Sequence, residues 1–235
     1  MSVDPGPPVI RLEAVERTYP GAVPVHAVRS ADLTVQRGEF AAIVGPSGSG
    51  KSTLLNLLGL LDSPTAGRYL LDGIDTGPLS PADRAALRGS KIGFVFQSFH
   101  LLANRTALDN VALAGTYAAL PRTLRLERAA EAIELVGLSH RAEFLPAVMS
   151  GGERQRLAIA RAVAGRPAVL LCDEPTGNLD TDRSEEIIAL FEQMFAAGFT
   201  IVIVTHDERL AQRAHRQIEV RDGHVRDTSA EARAR

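Results

Sequence analysis

An α/β fold built around a parallel sheet is the architecture this sequence predicts, and three observations carry the prediction. Ala41 to Val44, Val169 to Cys172 and Ile201 to Val204 are short, continuous apolar runs, the pattern of strands covered on both faces. The first of them leads straight into a glycine-rich segment, GPSGSGKST, from Gly45 to Thr53. Behind that segment the run Leu54-Leu55-Asn56-Leu57-Leu58 reads as a helix.

The remaining elements follow from periodicity and punctuation. Val9 to Val15, Ala27 to Val35 and Arg68 to Asp72 alternate more, with Gly21, Gly38 and Gly73 between or after them, which suits a flanking antiparallel layer. Between Thr106 and Gly165 the pattern turns helical. Thr106-Ala107-Leu108-Asp109 reads as a capping box, Pro121 interrupts the pattern, and Glu127 to Val136 resumes it with Ala129, Ala130, Ile133 and Val136 at helical spacing. A helical lobe over about residues 98–165, inserted into a core of about 1–97 and 166–228, is therefore expected. With 235 residues, 45% of them hydrophobic, the chain is expected to form a single domain, 1–235, with one substantial core. The ends, Met1 to Pro8 and Ser229 to Arg235, are expected to fray.

The glycine-rich segment has the order G-x-x-x-x-G-K-[ST], and each residue type has a physical reason to be there. Gly45, Gly48 and Gly50 lack a Cβ, so the loop of Gly45, Pro46, Ser47, Gly48, Ser49 and Gly50 can turn its backbone N–H groups toward an anion at close range. Lys51 reaches the β and γ oxygens of a nucleotide, Ser52 can ligate Mg²⁺, and Thr53 completes the motif. The helix that starts here adds the positive end of its dipole. A glycine-rich turn that binds nothing would not need strand, loop, lysine and helix in this order.

Three further polar features also follow apolar strands: Gln97 after Ile92-Gly93-Phe94-Val95-Phe96, Asp173-Glu174 after Cys172, and His206 after Val204-Thr205. In open α/β sheets, ligands bind beyond the carboxyl ends of the strands. Taken singly, Gln97 reads as a solvated strand end and His206 as a capping residue; together with the loop they read as a site. Asp173 can hold Mg²⁺, and Glu174 can orient or deprotonate a water that attacks phosphorus. Ser150-Gly151-Gly152-Glu153 is a capping box opening the helix of Leu157 to Ala160, but two glycines inside a box also expose backbone N–H groups to an anion.

With these motifs in order, the chain resembles an ATP-binding subunit of an ABC transporter. The matching strings are GPSGSGKST, Gln97, MSGGERQR, VLLCDEPTGNLD and THD, and they span nearly the whole chain. GEFAAIVGPSGSGKSTLLNLLG, IGFVFQSFHLL, TALDNV and DEPTGNLD are most similar to the branch holding the lipoprotein-releasing LolD, macrolide-exporting MacB and cell-division FtsE ATPases. The resemblance implies a P-loop NTPase fold, a RecA-like core with an antiparallel β subdomain and an inserted helical subdomain. It also implies ATP and Mg²⁺ as cofactors and an ATP-dependent homodimer that sandwiches two nucleotides head to tail, each phosphate loop facing the other subunit's signature. By position, Gly45 to Thr53 become the Walker A loop, Asp173 the Walker B carboxylate, Glu174 the catalytic base and His206 the switch histidine. Gln97 becomes the lever and metal-side residue, Ser150, Gly151 and Gly152 the signature, Asp180 the end of the dimer-contacting loop, and Tyr19 the aromatic that stacks on adenine. Met149, Glu153 and Ala103 depart from the usual Leu, Gln and Pro, the last on the surface that would meet a membrane partner.

Composition narrows the alternatives. A net charge of −2 lacks the footprint of a dedicated nucleic-acid binder, so no nucleic-acid partner is expected. One cysteine, Cys172, permits no internal disulfide and sits in an apolar run, the setting of an inert buried thiol. No apolar run reaches the length of about 18 residues needed to span a bilayer. A cytoplasmic subunit, peripheral on the inner face of the membrane through an integral permease partner, is the expectation. The alternatives are an FtsE-like, nucleotide-gated regulator of a membrane partner and a soluble ABC ATPase uncoupled from transport; the intact Asp173-Glu174 pair favours hydrolysis.

Overall fold

The computed structural model describes residues 6–116 and 120–228. The expected fraying of Met1 to Pro5 and Ser229 to Arg235 falls outside them.

Among the described residues, six strands form the main sheet, in the order β10-β9-β3-β8-β7-β6. They are β3 (Phe40–Val44), β6 (Ile92–Phe96), β7 (Val169–Asp173), β8 (Ile201–Val204), β9 (Arg216–Arg221) and β10 (His224–Asp227). All neighbours run parallel except the β9/β10 hairpin. The apolar runs are continuous because alternate residues enter two different cores. Phe40, Leu170, Cys172, Ile201 and Ile203 pack on one face with helical residues such as Ile133, Leu157 and Ile187. Ala41, Ile43, Val169, Leu171, Val202 and Val204 pack on the other with Leu54, Leu57 and Leu58. A half-buried strand would alternate with polar residues; these do not, since neither face meets water.

The second core is closed by a four-stranded antiparallel sheet in the order β2-β1-β4-β5. Its strands are β1 (Ile10–Tyr19), β2 (Val25–Val35), β4 (Ala66–Leu71) and β5 (Ile74–Asp75), so the alternating segments do form the antiparallel layer. Tyr69 is buried there, its hydroxyl donating to the Leu58 carbonyl at 2.8 Å. Burial holds that phenol protonated by raising its pKa.

The helices are α1 (Lys51–Leu58), α2 (Pro81–Lys91), α3 (Ala107–Ala112), α4 (Arg122–Leu135), α5 (Gly151–Ala164), α6 (Thr181–Ala196) and α7 (Glu208–Arg213). Two expectations need correction. The Thr106 box is one-sided: its hydroxyl accepts from the Asp109 N–H at 3.1 Å, but aspartate is one methylene shorter than glutamate and makes no return bond among the described residues. Helix α4 starts at Arg122, five residues ahead of Glu127, with Pro121 as its N-cap at φ −54°. A proline here starts a helix, because its missing N–H falls where no intrahelical partner exists.

Two features went unread in the sequence although their signals were present. Helix α2 opens on Ser80-Pro81, with the Ser80 side chain accepting from Asp83 N, a capped start with proline at the first position. The β9/β10 hairpin turns at Asp222-Gly223, both left-handed, the pair that a type I′ turn favours.

Candidate functional site

Parallel strands deliver their carboxyl ends to one edge of the sheet, and four of the predicted features meet there. β3 leads into the phosphate loop, which closes on α1. Gly45 and Gly50 are required by close approach: an added Cβ would stand 2.1 Å from the Val220 carbonyl at the first and 2.2 Å from the Ala27 carbonyl at the second. Gly50 also caps α1 at φ 109° without a side-chain cap, and no acidic residue occupies the first turn. The positive end of the helix is therefore left for an external anion. Lys51 Nζ lies 2.8 Å from the carbonyls of both Gly45 and Pro46, folded over the loop it serves. A cleft of about 440 Å³ opens above it, lined by Gly48, Ser49, Gly50, Lys51, Ser52, Thr53 and Tyr19 among others. An uncapped helix start, a lysine and an open cradle of glycine backbone fit a polyphosphate.

Asp173 ends β7. Burial pushes its carboxyl above the ordinary range, the neighbouring Glu174 charge adds to that, and Lys51 opposes it. A carboxylate desolvated beside a second one has a deficit of positive charge that a cation would relieve. The exposed Ser52 hydroxyl belongs to the same loop. Among the described residues no group of three His, Cys, Asp or Glu gathers to hold a metal; one carboxylate plus substrate phosphate is the way Mg²⁺ is usually bound.

Glu174 turns out of the strand in a left-handed conformation, φ 45°, with its N–H on the Val204 carbonyl at 2.9 Å. Strain of this kind in a non-glycine residue persists where the surroundings over-determine it. They do so here. Glu174 Oε1 is 2.8 Å from His206 Nδ1, and Oε2 accepts from the Thr205 hydroxyl and the His206 N–H, both at 3.2 Å.

Gln97 follows β6, but its amide is engaged by Asn178: Nε2 donates to Asn178 Oδ1 at 3.4 Å, and Asn178 Nδ2 donates to the Gln97 carbonyl at 2.9 Å. Gly177 leaves room for this, since a Cβ there would stand 2.7 Å from Gln97 Nε2. Tyr19 does line the cleft, held by a 2.8 Å bond from its hydroxyl to Asp62 and by the Arg17 guanidinium 4.5 Å from its ring centre. Asp180 caps α6 through the Arg183 N–H.

Ser150, Gly151 and Gly152 are absent from the lining of that cleft. Ser150 caps α5 in a full capping box: Glu153 N donates to Ser150 Oγ at 3.2 Å, and Ser150 N donates to Glu153 Oε2 at 2.7 Å. The Ser150 N–H first, then the Ser150 hydroxyl and Arg141, hold the Glu153 carboxyl below its usual range against the opposing effect of burial. An added Cβ would meet nothing closer than 3.4 Å at Gly151 or 3.5 Å at Gly152, so packing within the chain does not demand glycine at either. Sequence reasoning gave no separate role to Asn178 or Thr205, which only their partners reveal.

The sequence pattern of the ABC transporter family matches residues 28–177. The chain belongs to the ABC transporter family. The cassette is 47% identical over 218 residues to YvrO of Bacillus subtilis, an ABC transporter ATP-binding protein, covering 92% of this chain and 95% of that one. It is 46% identical over 221 residues to the macrolide export ATP-binding/permease protein MacB 1/2 of Paracoccus denitrificans, covering 94% of this chain. The chain spans about a third of the length of that relative (33%). The ATP-binding cassette MJ0796, solved as a dimer in a post-hydrolysis state with ADP and Pi, superposes with a TM-score of 0.82 at 40% identity, over 93% of this chain and 97% of that one. As an ATP-binding cassette the protein binds and hydrolyses ATP, with Mg²⁺ as its metal cofactor. Its fold is that of the P-loop ABC cassettes.

Proposed function

We propose that this chain is the ATPase subunit that powers a membrane permease of MacB/LolD type, working as a head-to-tail dimer from the cytoplasmic face of the membrane. The observation that carries the catalytic part is the Glu174 carboxylate, held at both oxygens by Thr205 and His206, one residue beyond Asp173. The transport part is supported by the family and by relatives named as ATP-binding/permease proteins. Residues 98–165 then act as a helical lobe inserted into the core.

In this reading the N–H groups of the 45–50 loop and the α1 start bind the β and γ phosphates, and Lys51 supplies positive charge there. Tyr19 provides the adenine platform. Ser52, Asp173 and, after release from Asn178, Gln97 would hold Mg²⁺, which when bound neutralises charge on the phosphates. Glu174 orients a water and takes its proton as the oxygen attacks the γ-phosphorus. The bond to the bridging oxygen breaks, ADP leaves with that electron pair, and the proton passes on to phosphate or solvent. His206 keeps the Glu174 carboxylate in line. Ser150 to Gly152 complete the partner's site; that glycine is used where the chain's own packing does not require it supports a close approach from outside.

Glu174→Gln tests the central assignment. Mg-ATP binding should persist while turnover falls about 10²–10⁴-fold, the usual contribution of a general base. Phosphate release at close to the wild-type rate would remove Glu174 from the chemistry.

A further inference from the structure

The segment that follows Gln97 is held in an unusual shape, and what holds it is the helix that begins at Ser150. Phe99 and His100 are consecutive non-glycine residues in the left-handed region, φ 53° and 50°, which side chains of this size rarely adopt without outside support. Both of their carbonyls point at one guanidinium. Arg161 Nη2 donates to the Phe99 carbonyl at 2.7 Å, and Arg161 Nη1 donates to that of His100 at 2.5 Å. No carboxylate among the described residues pairs with Arg161, and burial lowers its pKa, so these carbonyls carry its compensation. Two turns earlier on the same face of α5, the Arg154 guanidinium sits 5.2 Å from the centre of the Phe99 ring.

We propose that Arg161, assisted by Arg154, is a positioning residue that bolts the Gln97 segment to α5, so that Gln97 and Ser150 at the other end of that helix move as one body. Ser150 and Arg161 are eleven residue steps apart on α5, a rod of about 16 Å. The inference rests on the reading that Gln97 serves the chain's own nucleotide and Ser150 the partner's. Given both, occupancy of one site is passed along α5 to the other, and ATP turnover is cooperative because of Arg161. Arg161 itself touches neither nucleotide.

The test compares Arg161→Met, Arg161→Lys, Gln97→Ala and the Arg161→Met, Gln97→Ala double variant. Calorimetric Mg-ATP affinity should stay within about twofold of wild type in Arg161→Met, because the phosphate loop is untouched, while kcat falls about 10–100-fold, the scale of a misplaced catalytic group. The Hill coefficient for ATP should drop toward one, and Arg161→Lys, which keeps a donor, should recover part of both. Adding Gln97→Ala to Arg161→Met should cost little more, since the two act as a unit. Losses that multiply, or wild-type turnover and cooperativity in Arg161→Met, would overturn the bolt while leaving the site assignments standing. Wild-type turnover in Gln97→Ala alone would instead remove the Gln97 reading and the bolt with it. If Arg161→Met does not fold, amide exchange on the otherwise native Glu174→Gln protein decides: Mg-ATP should slow exchange in residues 97–101 and at the start of α5 together, and protection of only one of them contradicts the proposal.

Discussion

His206 Nδ1 and Glu174 Oε1 stand 2.8 Å apart, joined across 32 residues of sequence, while the backbone N–H of the same histidine reaches the other carboxylate oxygen at 3.2 Å. The imidazole is thus a brace on one side of a carboxylate that the backbone grips on the other.

Removing the brace should loosen the glutamate without removing it. His206→Ala keeps the N–H and Thr205 contacts, so Mg-ATP affinity should be close to unchanged and kcat should fall by about 10²-fold, the penalty for a small misplacement. Rapid-quench hydrolysis measures this, and an unaltered single-turnover rate would mean that the histidine braces nothing of consequence.

Lys51 lies over the loop with its ammonium on the Gly45 and Pro46 carbonyls. Its charge should serve the phosphates from ground state to transition state, so Lys51→Ala should weaken binding and hydrolysis together, by about 10-fold or more in affinity for a lost charged hydrogen bond. Calorimetry showing native Mg-ATP affinity would contradict the assignment.

Asp173 sets stability against function. Its folded-state pKa is raised, first by burial and then by Glu174, so folding favours the protonated form. Stability from this group is fully present below the ordinary carboxylate pKa and is lost as pH rises through the raised value. Asp173→Asn should therefore melt about 1–3 °C higher than wild type near neutral pH, a modest shift for a chain of this size, with the difference vanishing in acid. Mg-dependent turnover should disappear in the same protein. A lower melting temperature at neutral pH would show that the carboxylate is stabilising after all.

Ser150 separates a helix cap from a shared site. Loss of the cap costs typically about 1 kcal/mol and acts within its own chain. Ser150→Arg should leave folding and initial ATP docking nearly intact yet block the ATP-driven dimers that Glu174→Gln otherwise accumulates. A Lys51→Ala subunit mixed with a Ser150→Arg subunit retains one composite site, from the second chain's loop and the first chain's signature. Light scattering with Mg-ATP on the Glu174→Gln forms, alone and mixed, reads both effects; stable dimers of the Ser150→Arg form alone would reduce Ser150 to a cap.

Short-range physics makes much of this protein legible in its sequence. The phosphate loop depends on glycines at fixed spacing and a helix that starts beside them, and the Ser150 box on residues three apart; contacts within one turn survive as patterns in a string. Two-sided burial wrote itself as unbroken apolar runs, so β3, β7 and β8 were visible, whereas β9 (Arg216–Arg221) was not, since its polar residues alternate with Ile218 and Val220. Pro121 reads as a break in the sequence because a proline beside a helical pattern marks a boundary without saying on which side the helix lies. What only tertiary structure decided is which distant groups share an edge. Strand order β3-β8-β7-β6 sets Glu174 against His206, Gln97 against Asn178 across 81 residues, and Arg161 against Phe99 across 62. Those pairings depend on the register of parallel strands and the helices crossing between them. They are set by burial summed over the whole sheet, so no local window of the sequence contains them.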